Sequence, residues 1–185
     1  MPHVLRRPSP SLLAAVLAAL CILALAAGSA GAQPAAPAGL PSHGARAHDF
    51  ERFLHRYESA NTAFVNGDPS PWLSLTAAND PVSIFGGFGG LGEAGASSVY
   101  QRYLLAASAF QPSGARVDFE YLVKDVRHGL AYTVAIERSN VLYTGLTERR
   151  PQILRVTMIF RRDRGRWRIV HRHADTMTAL QLPAA

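Results

Sequence analysis

Apolar and polar positions change period along this chain. Across residues 49–68, Phe50, Phe53, Leu54, Tyr57, Ala60 and Phe64 recur every three to four residues, which predicts an amphipathic helix. Asp49 stands where an N-cap belongs, and Asn66-Gly67 stands where a helix stops. Ser70-Pro71 opens a second, short helix, with proline at its first helical position. "DPVSIF" reads as a short strand and "GGFGGLGEAG" as a glycine loop. "SSVYQRYLLAASAF" reads as another long helix, with Tyr100, Tyr103, Leu104, Ala107 and Phe110 on one side. Then the period drops to two. Val117, Phe119, Tyr121 and Val123 share one face of a strand, and "LAYTVAIERSNVLY", "QILRVTMIFRR" and "RWRIVHRHAD" continue as strands. Residues 125–129 and 163–165 supply the turns. Helices segregated from an antiparallel meander define an α+β domain, a curved antiparallel sheet with the long helices closing one face.

The first third of the chain does not fit this pattern. Residues 1–7 carry Arg6 and Arg7 and no acid, residues 12–27 are almost wholly apolar, and Ala30-Gly31-Ala32 is a small-residue cleavage site. This is the layout of a signal peptide over residues 1–32. Its apolar run falls short of the roughly 20 residues of a bilayer span. The expected product is exported, periplasmic or secreted, after cleavage near Ala32, with no stable membrane anchor. Residues 33–47, rich in Ala, Pro and Gly, read as a disordered linker, residues 48–178 as the domain and residues 179–185 as a tail.

Composition removes several functions. Cys21 is the only cysteine and lies inside the leader, so the mature chain has no thiol for catalysis, redox or metal binding. The formal charge of +6 becomes +4 without Arg6 and Arg7. Arg161, Arg162, Arg164, Arg166 and Arg168 cluster at one turn. With Trp167 the only aromatic among them, they read as a solvated hairpin tip and imply no nucleic-acid partner.

The densest polar constellation closes the last strand. In a regular strand His171, His173 and Asp175 share a face with Trp167 and Ile169, while Arg172 shares the other with Val170 and Ala174. Two alternate imidazoles can converge on a metal, but a third protein ligand is the usual minimum. His43, His48, His55 and His128 all stand elsewhere, so no metal and no cofactor is expected. A histidine oriented by a carboxylate can instead carry protons near neutral pH. On neighbouring strands Glu137 and Arg155 can pair if both project into one cavity, and a carboxylate so held stays ionised. A single bulge inverts every facing, so both parities of the last strand remain open.

The element order, with "DPVSIFGGFGG", "LAYTVAIER", "LRVTMIFRRDRGRW" and "WRIVHRHAD" in it, resembles the nuclear transport factor 2-like superfamily, in its SnoaL-like branch, across residues 48–176. The resemblance implies a cystatin-like cone with a central pocket, a small-molecule ligand and a homodimer. It also covers enzymes such as ketosteroid isomerase and non-enzymes such as a kinase association domain, so the fold does not settle the function. The association domain has a similar final strand. Carried over, it points Arg172, Val170 and Ala174 into the pocket, with Glu137 and Thr157 at matching positions, and His171 and His173 away. The isomerase's aspartates find no counterpart on an apolar face. The expectation is an exported module binding a small, partly apolar ligand, with Arg155, Thr157, Arg172, Asp175 and Tyr57 as contacts. The alternative is a lyase, isomerase or hydrolase with Glu137, His171 or His173 as proton carrier and Arg155 or Arg172 as anion clamp. The glycine loop is expected as a lip at the pocket mouth through Phe88 and Leu91, or as a connector needing positive φ.

Overall fold

The computed structural model describes residues 43–179; the expected leader, the linker as far as residue 42 and the tail from residue 180 lie outside the described residues. Helix α1 (His43–Phe64) starts earlier than its apolar pattern implies, so Asp49 sits within the helix and not at its cap. Its carboxylate accepts a hydrogen bond from Trp167 Nε1 at 3.2 Å and pairs with Arg162 at 3.1 Å, which ties the helix to the last hairpin. The stripe Phe50, Phe53, Leu54, Tyr57 and Ala60 is buried, as its spacing predicts. In α2 (Ser70–Leu75) Pro71 lies in the first turn, but Ser70 makes no side-chain cap; its N–H donates to Asp68 Oδ1 at 2.9 Å.

Helix α3 (Ala96–Ala107) buries Val99, Tyr103 and Ala107 and leaves Tyr100 and Leu104 exposed. Of the expected row Tyr103, Ala107 and Phe110 are buried, while Val99 takes the place of Tyr100 and Leu104. Gly95, which precedes the helix, has no side chain to cap it. Asp80 supplies the acceptor from a distant loop, taking the Ala96 N–H at 2.7 Å.

Strands β1 (Ser83–Phe85), β2 (Glu93–Ala94), β3 (Phe110–Gln111), β4 (Val117–Arg127), β5 (Leu130–Tyr143), β6 (Arg150–Asp163) and β7 (Arg166–Thr176) form one sheet. Its order is β2-β1-β7-β6-β5-β3, with β4 also paired to β5. Every pairing is antiparallel except β1 on β7. The β4–β5 and β6–β7 hairpins turn on His128-Gly129 and Arg164-Gly165. All four residues have positive φ, the two-residue turn that matches the twist of its strands.

Two β-bulges decide which side chains face the helices. In β4 the register with β5 slips between Tyr121 and Val123, leaving Leu122 as the extra residue. Val117, Phe119 and Tyr121 look inward before it. Lys124 and Val126 do so after it, opposite Thr133 and Ala131, while Val123 turns outward. In β7 Phe160 pairs with Ile169 and Ile159 with His171, so Val170 is the extra residue. Trp167 and Ile169 therefore face inward, and so do Arg172 and Ala174. The sheet curls into an α+β cone whose core joins Phe50, Phe53 and Leu54 of α1 to Met158 and Phe160 of β6 and Trp167 of β7.

Candidate functional site

Under the concave face, Glu137 of β5, Arg172 of β7 and Tyr57 of α1 meet. Arg172 donates from Nη1 to Glu137 Oε1 at 3.0 Å and from Nη2 to Oε2 at 2.7 Å, and the Tyr57 hydroxyl donates to Oε1 at 2.7 Å. Trp72 of α2 lies beside the guanidinium, 5.3 Å from ring centroid to Cζ. All four residues are buried. A single charge at this depth would be strongly disfavoured, and the two-point pairing makes the site tenable.

The protonation states follow from these contacts. Burial alone would push the Glu137 carboxyl up, but the Arg172 charge, its hydrogen bonds and the Tyr57 hydroxyl outweigh it and hold the group below its ordinary value. Burial and the neighbouring carboxylate push the Tyr57 phenol well up. Burial opposes the Arg172 charge, and Glu137 overrides it, so the guanidinium's pKa is raised. Glu137 is thus anionic, Arg172 cationic and Tyr57 neutral. A carboxylate with three donors and a lowered pKa is a weak base at neutral pH.

Beside this cluster lies a small, partly open cavity of about 50 Å³. Glu137 and Arg172 form its polar wall, and Phe64, Phe88, Phe110 and Leu154 are among its apolar lining. Asn61, one turn after Tyr57 on α1, is 4% exposed and also lines it. Its carboxamide lies close enough to Glu137 to favour the ionised carboxylate, but Nδ2 makes no hydrogen bond. A buried donor left unpaired costs about 1–3 kcal/mol. The Tyr103 hydroxyl is also buried and unpaired, and burial raises its pKa, so it stays neutral.

The glycine stretch forms part of the cavity wall. Gly86, Gly87 and Phe88 line it, and Phe88 packs 5.6 Å from Phe110. A Cβ on Gly87 would come within 3.1 Å of the Leu154 methyls, so any larger residue there has to displace that side chain. Arg102 of α3 braces the loop by donating to Gly89 O and pairing with Glu93 at 3.3 Å. Leu91, expected at the lip, is 99% exposed and does not line the cavity.

Six of the expected residues do not line the cavity: Tyr57 is buried against Glu137, and the other five lie on the outer face of the sheet. Glu137 pairs in register with Leu154, which puts Arg155 opposite Ile136 on the outer face of the sheet. Thr157 pairs with His173 and goes outward with it. There the Ser83 hydroxyl lies 2.8 Å from His171 Nδ1, and Phe85 packs 5.1 Å from His173. His173 and Arg155 flank Asp175 at 3.3 and 3.7 Å. Burial and the charge of His173 lower the His171 pKa. The bulge at Val170 is the reason the histidines and Asp175 lie outside and Arg172 inside, and the β5–β6 register excludes Arg155 and Thr157 from the cavity. Among the described residues no group of three His, Cys, Asp or Glu side chains is arranged to hold a metal ion.

Tyr57, Glu137 and Arg172 are the expected site residues that come together. Asn61, Trp72, Tyr103 and Arg102 complete the surroundings and were not marked by sequence reasoning as site residues. Asn61 carried a readable signal: it lies beside the apolar stripe of α1, four residues after Tyr57 and three before Phe64, where a polar side chain is out of place.

The SnoaL-like domain family matches residues 99–178, which span α3 to the end of β7. Solved structures share the fold. A nuclear transport factor 2-like superfamily protein from Salmonella enterica is 15% identical, with 78% of this chain and 99% of that chain covered and a TM-score of 0.63. An NTF2-like protein from Pseudomonas putida is 16% identical, with 76% and 99% covered and a TM-score of 0.55. A protein with a cystatin-like fold from Caulobacter vibrioides is 12% identical, with 73% and 92% covered and a TM-score of 0.55. At these identities the likeness is one of fold. No curated protein matches the chain. Residues 99–178 thus match a SnoaL-like domain, and the fold is the one shared with these nuclear transport factor 2-like and cystatin-like structures. Among the described residues no helix is long and apolar enough to cross a membrane.

Proposed function

We propose that this domain binds a small, largely apolar molecule in its cone and does not turn it over. The observation that carries the reading is the cavity itself: aromatic and aliphatic walls converge on a few buried polar groups, the usual make-up of a ligand site. Glu137 is fixed as an anion by Arg172 and Tyr57, which suits a structural acceptor better than a proton carrier. Calorimetric titration with small aromatic compounds should give saturable binding. Ala106→Trp, which fills the cavity, should abolish it while the unfolding midpoint stays close to wild type. Saturable binding that survives this substitution would place the ligand elsewhere.

Export and self-association belong to the same proposal. The leader expected at residues 1–32 supports the first, and the exposed Leu122, Val123 and Tyr132 on the outer face of the sheet support the second. Intact-mass measurement of the secreted protein should show an N-terminus near Gln33, and sedimentation should show a dimer. A retained leader or a monomer removes the respective part.

A further inference from the structure

We propose that the cavity selects an uncharged molecule carrying a hydroxyl group, and that this hydroxyl seats between Glu137 Oε2 and Asn61 Nδ2. The inference rests on the reading that the cavity binds a small molecule, and it names the class of molecule.

Charge comes first. Glu137, Arg172 and Arg102 are the charged side chains that line the cavity. Arg172 is paired at two points with Glu137, and Arg102 is paired with Glu93 at the mouth. Both guanidiniums are therefore compensated, and the site is formally neutral. An anionic ligand would have to draw Arg172 away from Glu137 and leave that carboxylate buried without its partner. A cation would meet Arg172 in the same wall. Neither sign of charge finds an open counter-charge.

Hydrogen-bonding capacity comes second. The Glu137 carboxylate has about four acceptor positions. Oε1 accepts from Tyr57 and from Arg172 Nη1, and Oε2 accepts only from Arg172 Nη2. Oε2 therefore keeps one acceptor position. Asn61 Nδ2 leans toward the same carboxylate and helps to hold it ionised, but it is buried and stops short of a formed hydrogen bond. An open acceptor beside an open donor calls for a group that both donates and accepts. A hydroxyl does both, whereas a carbonyl or ether oxygen satisfies Asn61 alone and a hydrocarbon neither. The Tyr103 hydroxyl, also buried without a partner, offers a further contact on the same cavity.

The test uses three probes of one shape: naphthalene-2-methanol, 2-naphthoate and 2-methylnaphthalene, titrated by calorimetry at pH 7 into the leader-free protein. The alcohol should bind at least about tenfold tighter than either of the others, which corresponds to about 1.4 kcal/mol. Asn61→Leu should erase the alcohol's advantage while 2-methylnaphthalene still binds. Tightest binding by 2-naphthoate would overturn the proposal, because it would mean that a guanidinium is available to anions. Equal binding of the alcohol and the hydrocarbon would also overturn it, because a bound water then serves the donor–acceptor pair. An alcohol preference that survives Asn61→Leu would do the same. Should Asn61→Leu not fold, the wild-type comparison alone decides. Hydrocarbon binding without alcohol preference sinks this proposal and leaves the cavity a binding site. No saturable binding by any of the three sinks both.

Discussion

Glu137 and Arg172 are worth more to the fold together than either is alone. Removing one partner leaves the other charge buried without compensation, which costs about 3–5 kcal/mol, whereas replacing both with apolar groups of similar size is often neutral. Glu137→Ala should therefore lower stability by that amount in urea unfolding, and Glu137→Leu with Arg172→Met should cost less than the single change. A single substitution costing under about 1 kcal/mol would show that the guanidinium finds another partner. Both members of the pair were visible in the sequence as polar residues in strands that should bury a face, but their pairing was not. The sequence pointed to Arg155 as the partner, and the register of Glu137 with Leu154 decides against it.

Periodicity located the elements well because each long one keeps its period for two turns or more. The stripe of α1 and the alternation along β5 and β6 translate directly into burial. Legibility fails where one residue breaks the count. Leu122 and Val170 are ordinary strand formers, and nothing in their chemistry marks them as extra; the bulges come from how neighbouring strands align. The two-residue strands β2 and β3 escape for the opposite reason, being too short to show any period. In α3 the expected row holds at Tyr103 and Ala107, and tertiary packing alone buries Val99 in place of Tyr100 and Leu104.

The whole molecule should lose stability on acidification in two stages. His171 has a lowered pKa in the folded state, so its contribution is present above the ordinary histidine value of about 6.5 and is lost as pH falls through the lowered one. Glu137 is lowered as well, so its contribution is present above about 4.3 and lost as pH falls further. Urea unfolding across this range should show that His171→Gln flattens the upper loss and Glu137→Gln the lower one. The Glu137 variant should be less stable at neutral pH from the outset. An acid limb unchanged in Glu137→Gln would mean that other carboxylates set it. Val170 has a consequence for the chain as a whole. It gives β7 slack: if either Val170 or His171 were lost, the strand could close up into an unbroken ladder with Ile169 and Arg172 still on the helix side. The residue that made the last strand hard to read is thus also a spare one, and it shields the ion pair beneath it from a loss of length that would reverse the facing of a regular strand.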